Sequence, residues 1–124
     1  MRGASALQQV LDTLPGSEVR VFAIWLPVLP TDIAPPTSGV MALLHDTRAR
    51  QYWDESRLLS SEFVRMRGGG SGSDDREIVW DDVAVFAPGD RWTSTLPAPL
   101  FDGGNVVDVA PEVRRHLAKI VKPR

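Results

Sequence analysis

The run Val19–Pro27, Val-Arg-Val-Phe-Ala-Ile-Trp-Leu-Pro, constrains the fold more than any other stretch of the chain. Apolar residues follow one another with a single polar break, and β-branched and aromatic types dominate. A run of this kind and length reads as a strand, Glu18 to about Leu26, covered on both faces. Helical patterns on either side of it place the strand in an α/β sheet. Upstream, Leu7, Val10, Leu11 and Leu14 recur at i, i+3, i+4 and i+7, which predicts a helix over Ala4–Leu14. Pro15-Gly16 ends that helix, because proline cannot continue the ladder and glycine permits a left-handed exit.

The rest of the chain alternates in the same way. Pro27–Pro36 holds four prolines, which excludes a helix or a central strand there. Such a loop at a strand end can carry function, although a packed crossover is its ordinary role. Val40, Met41 and Leu44 predict a short second helix from Thr37 or Ser38 to His45, and Ala49–Trp53 a brief strand. Asp54-Glu55-Ser56 supplies acceptors for the start of a third helix, with Leu58, Leu59, Phe63 and Met66 turned inward. Gly68–Asp75 reads as a flexible Gly/Ser loop inside a single domain spanning 1–124. It is not a phosphate loop, since no Gly-Lys-Ser/Thr follows it. Ile78–Ala87 predicts a second long strand, interrupted at Asp81-Asp82. Asp102-Gly103-Gly104-Asn105 predicts a hairpin turn leading into a strand over Asn105–Val109. Pro111 is placed at the first turn of a closing helix bearing Val113, Leu117, Ile120 and Val121.

Composition limits the chemistry. The 124 residues contain no cysteine and carry a net charge of −2. That excludes disulfides, thiolate nucleophiles and thiolate metal sites within them, and leaves no basic footprint for nucleic acid. No apolar run approaches the roughly 20 residues of a membrane span, and the first residues lack a signal-peptide core. A cytoplasmic location is the default expectation. His45 and His116 lie about 70 residues apart on helical patterns, the ordinary setting of non-ligand histidines. Asp54, Asp81 and Asp82 are the only carboxylates suggesting an oxygen-rich metal site, and adjacent strand residues point to opposite faces. No catalytic, cofactor-binding or metal-ligating residue is expected. The tryptophans are more suggestive. Trp25, Trp53 and Trp92 sit near element ends and, with Pro27 and Arg91, form a candidate binding groove, core packing being the commoner fate of such rings.

The segments Val21–Asp32, Gln51–Asp54, Val79–Trp92 and Pro97–Pro99 resemble a bacterial group of thioredoxin-like proteins, a redox family. The resemblance covers most of the chain. It implies a mixed sheet flanked by helices, N-terminally shortened: the first, central strand and the Cys-x-x-Cys that follows it have no counterpart here. The strands at 19–26 and 78–87 then have to pair directly, leave a gap, or recruit a strand from another copy. Three functions are compatible with this. The chain is a non-catalytic binding or self-association module with a protein partner or a homodimer. Alternatively, it is a thiol–disulfide oxidoreductase whose cysteine-bearing segment is missing. The third is an enzyme using carboxylates or metal at Asp54, Asp81 and Asp82.

Overall fold

The computed structural model of the protein describes residues 2–27, 34–66 and 79–121. Its elements, in order, are α1 (Arg2–Asp12), β1 (Val21–Trp25), α2 (Ser38–Met41), β2 (Ala49–Trp53), α3 (Leu58–Met66), β3 (Asp82–Val85), β4 (Phe101–Gly104) and α4 (Val106–Ile120). The strands make two separate ribbons. β1 pairs with β2 in parallel, Val21 opposite Ala49 and Trp25 opposite Trp53. β3 pairs antiparallel with β4, Asp82 opposite Gly104 and Val85 opposite Phe101. The architecture is α/β, but among the described residues the single mixed sheet expected from the sequence is two sheets of two strands.

One helix pair holds both ribbons. α1 and α4 pack side by side. Val10 of α1 and Val113 of α4 meet Val85 in a first core cluster, flanked by Leu14, Val83, Phe101 and Val109. Leu11 meets Val19 and Leu44 in a second, flanked by Ala4, Leu7, Val21 and Ala23. Leu117 of α4 packs against both clusters. The i, i+3, i+4, i+7 stripe of α1 therefore divides: one flank covers β1 and the other covers β3.

Three sequence expectations change. The run over Val19–Pro27 is covered on one face only, since Phe22 is 59% exposed. Asp102–Asn105 is not a turn: residues 101–104 are β4, and the predicted strand at Asn105–Val109 opens α4. Gly104 serves close approach instead, whereas a side chain on Gly103 would meet only ordinary contacts. A Cβ on Gly104 would stand 2.5 Å from the Asp81 carbonyl oxygen, and one on Gly103 would touch the Phe101 ring. Pro111 consequently lies inside α4 rather than at its first residue. The third change concerns α3, where Leu58 is 68% exposed while Ser60 and Val64 are the buried positions. Smaller shifts shorten α2 to Ser38–Met41 and β3 to Asp82–Val85. The Gly68–Asp75 loop and residues 28–33 of the proline-rich loop lie outside the described residues.

Polar side chains lock the connections. Arg48, at the start of β2, donates to the carbonyls of Leu11 (2.9 Å) and Leu14 (2.6 Å) at the end of α1. It also donates to Ser17 Oγ and to both carboxylate oxygens of Asp46. The Arg48 guanidinium, hydrogen-bonded to Asp46, holds that carboxyl down at about 2, against the opposing effect of burial. The same contact raises the pKa of Arg48. Gln8, buried in α1, accepts from the backbone N–H groups of His45 and Asp46, both at 3.0 Å.

Candidate functional site

The directions of the elements follow from their contacts. The N-terminal end of α1 lies against β3 and α4, for a Cβ on Gly3 would be 3.1 Å from Val106 Cβ and 3.2 Å from Asp81 Oδ1. Its C-terminal end is bound by Arg48 at the start of β2. The parallel pair β1–β2 therefore runs from the C-terminal end of α1 back toward its N-terminal end. β3 starts at the N-terminal end of α1, and its last residue, Val85, packs beside Val10 and Leu14. It runs opposite to β1.

Between β1 and β3 lies a seam. Among the described residues the two strands share the α1–α4 layer but do not pair with each other. In the β1–β2 ladder the Val21 N–H donates to the Arg48 carbonyl and the Asp54 N–H to the Trp25 carbonyl. Parallel pairing then turns the N–H and C=O of Val21, Ala23 and Trp25 toward β2, and those of Phe22 and Ile24 toward the opposite edge. Among the described residues the backbone groups of Phe22 and Ile24 have no partner. Among the described residues β3 likewise has one ladder partner, β4. The seam is thus flanked by two strand edges. Of the α1 stripe, Ala4 and Leu7 are half-buried on its floor, while Val10 and Leu11 are already buried in the clusters on either side.

The end of the seam toward which β1 points is built from capped helix starts. Asp54 accepts from Leu58 N–H at 3.0 Å and Leu59 N–H at 2.9 Å, the role expected of it at the start of α3. Asp81, held at φ 49°, accepts from the Val106 N–H at 3.3 Å. It takes the place of Asn105, whose side chain makes no cap. Two of the three carboxylates considered for a metal thus serve helix starts, and the described residues contain no group of His, Cys, Asp and Glu that could hold a metal ion. His116 stacks on Phe101, ring centroids 5.1 Å apart, and His45 is exposed.

Of the candidate groove residues, Trp25 and Trp53 are register partners at the ends of β1 and β2. The Trp25 indole N–H donates to Gln51 Oε1 at 2.8 Å, and Gln51 in turn donates to the carbonyls of Met41 and Leu44. Pro27 follows, half-buried. Arg91 and Trp92 are exposed in the β3–β4 connection, and no hydrogen bond or ring contact among the described residues links them to the other three. A separate shallow pocket of about 200 Å³ is lined by Glu62, Arg65, Met66, Thr95 and Leu96. The feature that sequence reasoning placed least well was the identity of the floor. The α1 stripe was legible, but its division between two ribbons has no sequence signal.

No helix among the described residues is long and apolar enough to cross a membrane. Comparison with known protein families, with characterised proteins and with solved structures found no match to this chain.

Proposed function

We propose that this protein is a non-catalytic binding module that accepts an extended polypeptide segment in the seam between β1 and β3. The observation that carries this is that β1 and β3 each pair on one side only among the described residues, with the Phe22 and Ile24 backbone groups unpartnered among them. An incoming strand bonds its main chain to such edges, and alternate side chains go to the floor. The directions of α1, β1, β3, β4 and α4 support a thioredoxin-like arrangement from which the central strand is absent, as the sequence resemblance implies. The occupant is then a strand from a partner or from a second copy. Thiol chemistry has no place within these residues, which contain no cysteine.

Amide hydrogen exchange tests this directly. In dilute protein the Phe22 and Ile24 amides exchange fast while those of Ala23 and Trp25, bonded to β2, are protected. Filling the seam slows Phe22 and Ile24. Strong protection of Phe22 and Ile24 in the dilute, unliganded monomer refutes the open edge.

A further inference from the structure

The outer face of the β1–β2 ribbon is a surface separate from the strand edges. Alternation along each strand builds it. Val19, Val21 and Ala23 turn inward to the Leu11 cluster, so Arg20, Phe22 and Ile24 turn outward. On β2, Ala49 packs inward and Gln51 reaches the Met41 and Leu44 carbonyls, so Arg50 and Tyr52 turn outward. The parallel register sets Phe22 beside Arg50 and Ile24 beside Tyr52.

Two aromatic rings meet at the centre of this face. Phe22 and Tyr52 stack with centroids 6.4 Å apart, yet remain 59% and 48% exposed. Beside them Arg20 and Arg50 are exposed, and their side chains make no ion pair or hydrogen bond among the described residues. The nearest carboxylates in the sequence are engaged or lie off the ribbon. Glu18 has a partner of its own, Asp46 is held by Arg48, Asp54 caps α3, and Glu55 lies past the end of β2. A single exposed ring is ordinary on a protein surface. Two touching rings beside two unpaired guanidinium groups have the composition of an interface core, where aromatic residues and arginine are enriched.

Charge selects the occupant. A second copy docked face to face sets Arg20 and Arg50 against like charges. A nucleic acid strand meets only these two cations here, on a chain whose net charge is −2. Carboxylates match the guanidinium fork in two parallel hydrogen bonds. We propose that this face docks an acidic peptide segment with an apolar centre, its carboxylates held by Arg20 and Arg50 and its apolar side chains laid on Phe22 and Tyr52.

Two blocked peptides, Asp-Glu-Phe-Leu-Glu-Asp and Lys-Lys-Phe-Leu-Lys-Lys, test this when titrated into the full chain, with the ring and backbone NMR signals of Phe22 and Tyr52 as readout. The acidic peptide is expected to shift these signals and to bind about tenfold more tightly than the lysine peptide at low salt, the difference shrinking at high salt. The double variant Arg20→Gln, Arg50→Gln, altered at two exposed side chains, keeps the urea midpoint and loses most of that preference. Equal binding of the two peptides, or a preference that survives the double variant, overturns the proposal. Tighter binding of single-stranded oligothymidine at the same signals assigns the face to nucleic acid and overturns it too. Shifts that grow with protein concentration alone assign it to a second copy, with the same consequence. No shift at about 1 mM peptide overturns the docking face itself. Each of these failures leaves the strand-accepting reading standing, because that reading is tested by amide exchange at Phe22 and Ile24 instead.

Discussion

Replacing Arg48 with methionine removes a side chain that ties the end of α1 to the Ser17 segment before β1 and to Asp46 before β2. In the native protein the guanidinium satisfies two carbonyls at the α1 C-terminus, Leu11 and Leu14, together with Ser17 Oγ and the Asp46 carboxylate. Hydrogen bonds to a charged group contribute about 1.5–3 kcal/mol each when measured singly, but bonds made by one side chain do not add. Removing one partner of a buried ion pair costs about 3–5 kcal/mol. Here the side chains of Arg48 and Asp46 retain 18% and 14% exposure, so the lower end applies and the loss is about 3 kcal/mol. For a chain of 124 residues that is a large share of a stability of about 6–18 kcal/mol.

Acid adds an independent check. Asp46 titrates at about 2 in the folded protein against 3.8 for the free group. A depressed carboxylate stabilises the fold fully above its unfolded pKa and loses that contribution as pH falls toward the folded value. The shift corresponds to about 2 kcal/mol, lost between about pH 4 and pH 2. Urea unfolding of wild type and Arg48→Met at pH 7, 4, 3 and 2.5 measures both effects. The gap between the two proteins is widest at pH 7 and narrows by about 2 kcal/mol in acid. A cost below about 1 kcal/mol at pH 7, or a gap that stays constant from pH 7 to pH 2.5, refutes the assignment of Arg48 as the counter-charge of Asp46.

Three further outcomes are expected. Gly104→Ala pushes a methyl group to within 2.5 Å of the Asp81 carbonyl oxygen and destabilises by about 1–3 kcal/mol, read as a lowered urea midpoint. Asp81→Ala loses the acceptor for Val106 N–H at a positive-φ position and costs about 1–2 kcal/mol, whereas Asp81→Asn, which keeps an acceptor and tolerates that backbone, costs less than about 1 kcal/mol. Leu11→Ala, at a side chain 1% exposed, costs about 3–4 kcal/mol in thermal or chemical unfolding.

How far the sequence foretold this arrangement depends on where each residue finds its partner. The α1 stripe and the Asp54 cap were legible because their partners are a few residues away. The α4 start was not. Asp-Gly-Gly-Asn reads as a turn locally, yet Gly104 answers to the Asp81 backbone, which comes too close for a side chain. The better signal was the spacing of Val106, Val109, Ala110, Val113 and Leu117, which is helical through Pro111. Gln8, Arg48 and Gln51 were silent for a related reason. Each satisfies backbone groups of connections, up to 38 residues away in the case of Gln8, and no periodicity marks such a residue. The candidate groove was legible in half: Trp25, Trp53 and Pro27 gather at one end of the β1–β2 ribbon, while Arg91 and Trp92 belong to a different connection.

The division of the α1 stripe explains why an open seam and a folded chain can coexist. A two-stranded ribbon alone is marginal in water at best. Each ribbon here gains its stability by covering one flank of α1 and part of α4, and Leu117 belongs to both clusters. The helices can therefore hold the two ribbons in place without a ladder between them among the described residues. A segment that adds main-chain bonds to the β1 edge stabilises the whole domain by mass action, by about 2.7 kcal/mol at a hundredfold excess over Kd. The melting temperature of the chain should accordingly rise with the concentration of any true occupant.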